Sequence, residues 1–472
     1  MNFINSYASL PEIFYSRVRT ETAPEPELIA WNRELAEHLG LDALEADTAG
    51  LARIFSGSEP LPGGNTIALV YAGHQFGQFV PQLGDGRAAL LGEVVSPVDG
   101  GHYDIQLKGS GQTPYSRRGD GKSSLGPVIR EYLLSEAMHR LGVPTTRALA
   151  AVGTGETVYR QAMEPGGVLT RVASSHIRVG TFQYFAAHNH HDALGQLTDY
   201  AIARHYPDAA AADMPVVAFY TQVVEAQAKL VARWMALGFI HGVMNTDNCA
   251  ISGETLDYGP CAFMDEFHID KVFSSIDHQG RYAYGQQANM AQWNLARLAE
   301  CLMLVGGEKS DYEAALERFQ PLFEEEYFGL MAARLGLAGR HEEDAGLVTA
   351  WLQHLQDHGL DYSRSFVQLA GRLDNDETAA FGDFEARWLQ RIDSQPGGRR
   401  EAARRMASVN PLVIPRNHQV ERAIQAAFHG DFQPFHELRK VLAEPFDLPP
   451  DLAHYAEPPL PQERVEMTFC GT

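Results

Sequence analysis

The sequence has few cysteines, and their number indicates the kind of cellular compartment in which we expect the protein to work. Its 472 residues include four cysteines, Cys249, Cys261, Cys301 and Cys470, and no two of them have the spacing C-x-x-C. A long chain with so few cysteines is typical of a reducing compartment and not of a disulfide-rich secreted scaffold. We therefore expect a cytoplasmic protein that is stabilised by its hydrophobic core.

Basic residues are also scarce. The 38 lysines and arginines are outnumbered by 60 aspartates and glutamates, which gives a formal net charge of −22 at pH 7. Because a nucleic-acid partner needs a basic surface, we expect no nucleic acid to bind. An anionic ligand such as a nucleotide would require the few basic side chains to converge in one place.

Long apolar runs and a signal sequence are absent as well. No apolar run is long enough to span a bilayer, and the segment Met1–Ser6 lacks the charged and apolar regions of a signal peptide. We therefore expect no membrane partner. We also expect the protein to be a monomer.

What the sequence does contain is a change along the chain between residue patterns typical of helices and of strands. Residues 1–60 have helical character and predict an N-terminal helical extension, whereas residues 61–165 are short β-type segments, separated by glycines, with one helix. Residues 166–444 are mostly helical, and the Pro-rich residues 445–472 predict a surface tail that ends in Cys-Gly-Thr. This order predicts an α+β, protein-kinase-like fold with a small β-rich N-lobe, a larger helical C-lobe and a ligand cleft between them.

Two elements of the predicted N-lobe carry opposite charges that face each other. Residues 103–108 alternate between apolar and polar, which places Lys108 on the polar face of a strand. The predicted helix 127–141 carries Glu131 away from its main apolar stripe. We predict a buried pair in which Glu131 holds a phosphate-binding lysine, although Lys108 alone would suit an ordinary strand position. A hairpin that turns at a Gly-Thr-Gly triplet is predicted over residues 149–161.

The central motif of the sequence is the segment Phe239–Pro260. His241 and Asn248 have the seven-residue separation of the histidine and the metal-binding asparagine in a kinase catalytic loop. The place of the kinase's catalytic aspartate is taken by Val243, and the nearest carboxylate is Asp247. A helix end followed by a polar turn would explain the same residues without any function.

A tight turn after this loop predicts a metal site. Residues 252–255 suit a two-residue hairpin turn that would pair Ile251 with Leu256. The same turn would bring Asn248 close to Asp257. An amide oxygen and a carboxylate suit Mg²⁺, whose other positions phosphates and water can fill. The Asp-Tyr-Gly sequence that begins at Asp257 is similar to the Asp-Phe-Gly metal motif of kinases.

Several basic residues occur in patterns that suit an anion. The turns Gly84–Arg87 and Gly119–Lys122 each offer backbone N–H groups and a basic side chain to phosphate oxygens, or are simply hairpin turns. Arg171 and Arg178 are seven residues apart, so in a helix they would share a face two turns apart. Such a pair predicts an anion clamp, with surface salt bridges as the alternative.

Two further polar tracts are less specific. The histidines of residues 188–192 lack the spacing for a tetrahedral metal site on one helix face, and they predict a solvated loop. The acidic residues between positions 265 and 270 predict a strand-to-loop region, in which Asp265 is a candidate contributor to the metal site.

Five segments closely resemble the selenoprotein O family and its bacterial homologues, and the resemblance runs from about residue 5 to the end of the chain. The segments are residues 71–79 (YAGHQFGQF), 82–88 (QLGDGRA), 106–122 (QLKGSGQTPYSRRGDGK), 242–248 (GVMNTDN) and 256–260 (LDYGP). The last three residues, Cys470–Thr472, resemble the cysteine version of that family's selenocysteine-containing tail.

The resemblance implies a pseudokinase fold and a protein adenylyltransferase that binds ATP in an inverted orientation and transfers AMP to Ser, Thr or Tyr hydroxyls of proteins. It implies that Lys108, oriented by Glu131, grips the buried terminal phosphates together with Arg171 and Arg178. The residues that complete the nucleotide pocket would be Gly84, Gly86, Arg87, Asp120, Gly121 and Asp257.

The resemblance also implies the metal ligands and the base. Asn248 and Asp257 would bind Mg²⁺ or Mn²⁺, and Asp247 would accept the proton of the acceptor hydroxyl. Cys470 is implied in redox regulation, and the cysteine with which it would pair stays open.

An inverted ATP would account for the missing catalytic aspartate. If the β and γ phosphates point into the pocket, the α phosphate faces the acceptor hydroxyl, and attack there releases pyrophosphate. Two alternatives stay open: a phosphotransferase in which Asp247 replaces the displaced base, and a non-catalytic ATP-binding scaffold. The sequence does not identify the protein substrates.

Overall fold

Strands from the first 173 residues form one large antiparallel sheet. A computed structural model of the chain describes residues 3–160, 162–339, 341–373 and 381–469. Its strands are β1 (Phe3–Ile4), β2 (Tyr15–Arg17), β3 (Glu27–Trp31), β4 (Ile67–Leu69), β5 (Gly73–Gln75), β6 (Gln78–Val80), β7 (Ala88–Val95), β8 (His102–Lys108), β9 (Ser123–Ser124), β10 (Arg147–Tyr159), β11 (Met163–Ala173), β12 (Phe239–Ile240) and β13 (Ala262–Phe263).

Helices surround this sheet and make up most of the chain after it. They are α1 (Arg33–His38), α2 (Thr48–Ser56), α3 (Leu125–Arg140), α4 (Val179–Ala187), α5 (His191–His205), α6 (Pro215–Ala236), α7 (Gln287–Leu302), α8 (Lys309–Glu317), α9 (Phe319–Arg334), α10 (Asp344–His358), α11 (Tyr362–Gly371), α12 (Gly382–Asp393), α13 (Gly398–Val409), α14 (Asn417–Phe428) and α15 (Gln433–Leu442).

The large sheet has nine strands in the order β2-β4-β7-β8-β11-β10-β3, with β1 beside β7 and β9 beside β11. The hairpin β5–β6 and the pair β12–β13 stand apart from it. In the centre of the sheet, Leu169 of β11 lies opposite Lys108 of β8, and Arg171 lies opposite Gln106. Since directly opposed residues share a face, Lys108 and Arg171 point to the same side of the sheet.

The sheet separates two apolar regions. On one side, Ile105 and Leu107 of β8 pack with Leu35 of α1 and Phe55 of α2 in the smaller core. The intervening polar residues, among them Lys108, therefore point toward the other side, where α3 packs on β10 and β11. The alternation predicted for residues 103–108 is confirmed, and it directs the polar face of β8 away from the smaller core.

The part of the chain after β11 is mainly helical, as predicted. Its longest helix, α6, packs against α7, α8 and α9 and ends just before β12. The segment after β12 returns toward the sheet and includes a short 3₁₀ turn at Thr246–Asn248. No helix in the described part of the chain combines the length and apolarity needed to cross a bilayer.

The predicted α+β class is confirmed, but the N-terminal 60 residues are not simply a helical extension. Strands β1, β2 and β3 belong to the large sheet, and α1 and α2 cover one of its faces. Within this segment the helix α1 begins only at Arg33, after the N-cap Asn32. The preceding residues pair with β10, a partner so distant in sequence that local propensity gave no sign of it.

The hairpin predicted over residues 149–161 is wrong. Residues 147–159 form one continuous strand, β10, which turns back into β11 after Tyr159. The Gly-Thr-Gly triplet at 153–155 lies at an irregularity in the β10–β11 register, with Gly155 at φ +73°. Glycine permits a bulge as readily as a turn, and pairing with β11 decides between the two.

Two helical glycines provide a test of how closely α4 packs near residues 71–73. A Cβ at Gly180 in α4 would lie 2.1 Å from the carbonyl oxygen of Ala72, whereas a Cβ at Gly195 in α5 would meet nothing within 4 Å. We expect Gly180→Ala to destabilise the protein by about 1–3 kcal/mol through overpacking. We expect Gly195→Ala to stabilise it by up to about 1 kcal/mol through helix propensity. Urea unfolding measures both, and equal effects in the two variants would contradict the close packing.

Candidate functional site

One cavity collects the nucleotide-site residues that the sequence predicts. It has a volume of about 630 Å³ and opens to solvent between the polar face of the sheet and the loop after β12. Its size is in the range of pockets that bind small molecules. The predicted residues that line it are Gly84, Gly86, Arg87, Lys108, Asp120, Gly121, Arg171, Arg178, Asp247, Asn248 and Asp257. The structure thus brings them together, while their roles stay predictions.

Four charged side chains form an ion cluster at the inner end of this cavity. Lys108 Nζ donates to Glu131 Oε2 over 2.7 Å and to Asp257 Oδ1. Arg171 Nη2 donates to Glu131 Oε1 over 2.5 Å and to Asp257 Oδ1 over 2.8 Å. The Lys108–Glu131 contact has the predicted geometry, but Glu131 holds Arg171 as well as the lysine. Two cations and two carboxylates therefore balance each other in this ion cluster.

Asp257 is ionised in this setting. Its burial alone would raise the pKa of the carboxyl, but the charges of Lys108 and Arg171 outweigh that effect and hold the pKa well below its ordinary value. The backbone of Asp257 has φ +73°, in the left-handed region that is uncommon for residues other than glycine. Backbone strain of this kind is found most often at functional sites.

Asn248 and Asp257, the predicted metal ligands, both line the cavity. The amide nitrogen of Asn248 donates to the carbonyl of Val243 over 3.1 Å, which leaves the amide oxygen for a ligand. An amide oxygen and an ionised carboxylate fit Mg²⁺ or Mn²⁺. The described residues contain no group of three or more His, Cys, Asp or Glu side chains that could hold a metal alone. A cation here would need oxygen atoms from another source, such as phosphates.

The turn between these two residues differs from its prediction. The strand-like bridge joins Cys249 to Thr255, and it does not pair Ile251 with Leu256. Residue Ala250 instead forms a bridge with Arg178. The chain therefore folds back at the predicted place but in a shifted register, because its edge is also paired with the segment before α4.

Asp247 is buried beside Asn248. Its Oδ2 accepts a hydrogen bond from Gln75 Nε2 over 3.2 Å, while its Oδ1 has no hydrogen-bond partner among the described residues. Burial raises the pKa of this carboxyl to about 6, against the weaker opposing effect of the Gln75 hydrogen bond. The close approach depends on Gly73, because a Cβ there would lie 2.4 Å from Asp247 Oδ1.

Arg171 and Arg178 do not lie on one helix, so the shared helix face considered for them is not formed. Arg171 lies in β11, and Arg178 is the residue before α4. The two side chains nevertheless line one cavity, because the chain turns between them. The Arg178 guanidinium stacks over the Tyr71 ring at 4.1 Å and donates to the backbone carbonyl of Asp247 over 3.2 Å.

Part of the Arg178 side chain is available to a ligand. Its Nη2 atom is buried and has no hydrogen-bond partner in the described chain, although Asp85 Oδ1 lies 3.9 Å away. A buried guanidinium nitrogen without a partner is costly unless an anion completes it. This observation fits a phosphate in the cavity.

The glycine turns allow the backbone to come close to its neighbours. Gly84 has φ +94°, and a Cβ there would lie 2.5 Å from the Tyr115 ring. Gly121 has φ +67°, and a Cβ there would lie 2.1 Å from the carbonyl oxygen of Gly111. Neither position accepts a side chain. Asp120 does not point freely into the cavity, because both its carboxylate oxygens accept hydrogen bonds from Arg160.

Sequence reasoning missed several side chains that line the cavity. They are Tyr71, Gln75, Phe76, Asp85, Gln106, Tyr115, Ser116, Arg117, Arg160, Asn245 and Ile276. Most of them lie within the segments that resemble the family, so the resemblance could have identified them as candidates. Arg160 and Ile276 lie outside these segments, and no local motif identifies them.

Other candidates lie away from the cavity. The histidines at positions 188, 190 and 191 are exposed, as predicted. Asp265 forms an ion pair with Arg416 at 2.6 Å and does not line the cavity. The prediction that it contributes to the metal site is therefore wrong. Cys470 lies outside the described residues.

Comparison with known proteins gives a consistent result. A family model described as "Protein adenylyltransferase SelO" matches residues 1–443. A "Protein nucleotidyltransferase YdiU" of Rhodopseudomonas palustris (strain BisB5) is 54% identical, with 100% of this chain and 99% of the relative covered. Proteins of the same name from Agrobacterium fabrum (50% identical, 100% of both chains) and Bradyrhizobium diazoefficiens (51%, 100% of this chain and 99% of the relative) are similar over the same extent.

The raised pKa of Asp247 predicts a pH-dependent gain in stability on its replacement. The folded protein holds the Asp247 proton more tightly than the unfolded chain, so the stability this gives in acid is lost as the pH rises through about 6. In metal-free buffer, Asp247→Asn should therefore increase the free energy of unfolding at pH 8 by up to about 3 kcal/mol. The gain should disappear below about pH 4.

Urea unfolding between pH 4 and 8 in the presence of a chelator measures this effect. The exposed Asp270 provides the control, and Asp270→Asn should show no such pH dependence. A pH-independent difference between the Asp247→Asn variant and the wild type would contradict the raised pKa.

Proposed function

The chain belongs to the SelO family of protein adenylyltransferases, and on that premise we propose that it transfers AMP from ATP to Ser, Thr or Tyr hydroxyls of protein substrates and releases pyrophosphate. It is an enzyme of the protein nucleotidyltransferase class. The observation that carries the detailed proposal is the common cavity. Three members of the ion cluster line it together with Arg178 and the buried Asp247, namely Lys108, Arg171 and Asp257.

The basic side chains of the cavity support an inverted ATP. Lys108 and Arg171 lie at the inner end, where Glu131 fixes both of them. Arg178 adds a buried nitrogen without a partner. Terminal phosphates bound there would receive charge-assisted hydrogen bonds, and the same groups would stabilise the negative charge of the leaving pyrophosphate.

The proposed metal ligands are Asn248 and Asp257. Bound Mg²⁺ or Mn²⁺ would supply Lewis-acid stabilisation of phosphate charge. Asp257 is suited to this role because its carboxylate is ionised, and Lys108 and Arg171 contribute to keeping it so. The remaining ligands would come from phosphate oxygens and water.

Asp247 is the proposed proton acceptor. Val243 occupies the position of a kinase's catalytic aspartate and has no titratable group, whereas Asp247 is a carboxylate on the cavity wall with an unpartnered oxygen. With the terminal phosphates at the inner end, the α phosphate would face the acceptor hydroxyl. Asp247 Oδ1 would take the hydroxyl proton as the oxygen attacks the α phosphorus and the bond to pyrophosphate breaks.

We further propose a two-lobed, kinase-like arrangement for the chain. In it, residues 61–165 would form the β-rich lobe and residues 166–444 the helical lobe, with residues 1–60 and 445–472 as extensions. The contact of Asp257 with Lys108 supports this arrangement, because a loop from the helical part there meets a strand of the sheet. The strands β1 to β3 would be additions of the extension to the sheet.

ATP labelled at either the α or the γ phosphate tests the proposed reaction. Label from the α position should appear on protein in the presence of Mg²⁺, and label from the γ position should not. Transfer from the γ position would indicate a phosphotransferase, and transfer from neither position would indicate an ATP-binding scaffold.

Replacement of the two aspartates should separate their roles. Asp257→Ala should abolish metal-dependent transfer, whereas Asp247→Ala should slow transfer by about 10²–10⁴-fold and leave ATP binding intact, because it removes only the base. Asp270→Ala, at an exposed position, is the matched control and should transfer at the wild-type rate. Undiminished transfer by the Asp247 and Asp257 variants would refute the assignment.

A further inference from the structure

The hairpin β5–β6 stands at the mouth of the cavity and is fixed to the loop that carries Asp247. The backbone N–H of His74 donates to Thr246 Oγ1 over 2.7 Å, and that of Phe76 donates to Asn245 Oδ1 over 3.1 Å. These bonds join two segments that are far apart in sequence. The hairpin therefore has a defined position relative to the proposed base.

The turn of this hairpin holds an aromatic side chain at the cavity wall. Phe76 and Gly77 have φ +51° and +84°, as in a type I′ turn, and such a conformation is rare for a bulky residue. The Phe76 ring lines the cavity and lies 5.1 Å from the ring of Tyr282. Strain of this kind persists only where surrounding contacts enforce it, and it is concentrated at functional sites.

Next to this turn lies a surface of aromatic and arginine side chains, which we call the hairpin–α7 face. It consists of His74, Phe79, Arg281, Trp293 and Arg297. The guanidinium groups of Arg281 and Arg297 lie 4.7 Å and 5.1 Å from the centre of the Trp293 ring. His74 lies between the rings of Phe79 and Trp293, at 4.8 Å and 5.1 Å.

The face is continuous with the cavity. The Arg281 guanidinium lies against the turn, because a Cβ at Gly77 would be 3.4 Å from its Cζ. It also lies 5.7 Å from the ring of Tyr282, which contacts Phe76 in the cavity wall. A polypeptide whose hydroxyl reaches Asp247 past Phe76 would therefore lie with its neighbouring residues close to Arg281.

Arg281 has no carboxylate partner in the part of the chain that the structure describes. Within the described residues, no Asp or Glu oxygen lies within 4 Å of its side-chain nitrogens, and the nearby Asp277 uses its two oxygens to accept the backbone N–H groups of Arg281 and Tyr282. Arg297 pairs with the exposed Glu300 over 2.8 Å. Stacking on an aromatic ring leaves the edge of a guanidinium free for a carboxylate.

We propose that the hairpin–α7 face binds an acidic segment next to the modified hydroxyl of the acceptor protein. The proposal rests on the proposed transfer of AMP to protein hydroxyls. Trp and Arg side chains are the residue types that most often dominate protein interfaces, and Phe79 adds an exposed apolar ring. In a chain of net charge −22, an arginine that has no carboxylate partner among the described residues would attract an acidic segment of the acceptor to this face. Arg281 is the residue that sets this preference.

The proposed preference for acidic segments can be measured on whole proteomes. The full-length enzyme is incubated with a bacterial protein extract and ATP, and every modified Ser, Thr or Tyr is mapped by mass spectrometry. The five residues on each side of a modified hydroxyl should contain more Asp and Glu than those around unmodified hydroxyls of the same extract. We expect Asp and Glu to be about two- to fivefold more frequent around the modified hydroxyls, because this is the preference that the energy of one exposed ion pair would produce.

Charge reversal on the face provides the decisive comparison. Arg281→Glu should remove the acidic excess or replace it with a basic one, and Arg281→Gln, which is closer in size, should remove it without reversal. Arg404→Glu is the matched control, because Arg404 is an exposed arginine on α13, away from the cavity lining, and this variant should keep the wild-type excess. Each variant is checked for wild-type thermal unfolding and ATP binding.

The outcomes separate the two levels of the proposal. No modified hydroxyl in any extract would refute the proposed function and the acceptor face with it. Modified sites without an acidic excess, or an excess that persists in both Arg281 variants, would refute the acceptor face and leave the proposed function standing. An acidic excess that is lost only in the Arg281 variants would support the assignment.

Discussion

The ion cluster of Lys108, Glu131, Arg171 and Asp257 is the interaction on which the cavity depends. Its members come from β8, α3, β11 and the loop before β13, so one set of hydrogen bonds joins a strand pair, a helix and a loop. The four charges balance in a poorly hydrated place, and loss of one would leave its partners uncompensated at a cost of about 3–5 kcal/mol. The geometry of the cavity's inner end is therefore tied to its electrostatics.

Close backbone contacts hold the segment that contains Gln75 and Phe76, two residues of the cavity lining, against its neighbours. Gly73 and Gly180 allow residues 71–76 to lie against the loop that carries Asp247, where a Cβ would collide with an Asp247 oxygen or with the Ala72 carbonyl. That proximity excludes water from the carboxyl and raises its pKa to about 6. The glycines thus influence the chemistry of a residue that lies far from them in sequence.

The predictions from sequence agree with the structure where they depend on neighbouring residues, and they fail where pairing between distant segments decides the conformation. The alternation along residues 103–108 and the position of Glu131 on its helix are local patterns, and the predicted pair is present. Arg171 and Arg178 do not share a helix, and their seven-residue spacing is equally compatible with the strand, turn and helix start that the structure shows. The prediction of a hairpin over residues 149–161 is also wrong. Glycines there permit either a turn or a bulge, and pairing with the distant strand β11 favours the bulge.

The sequence by itself determined the α+β class, the family and the set of charged residues near the nucleotide motifs, since all of these depend on local patterns or on long matching segments. Only the tertiary structure decided that Glu131 holds two cations, that Asp247 is buried, and that Arg281 lies against the turn of the β5–β6 hairpin. The reason is physical, because burial and ion pairing depend on segments that meet only when the chain has folded.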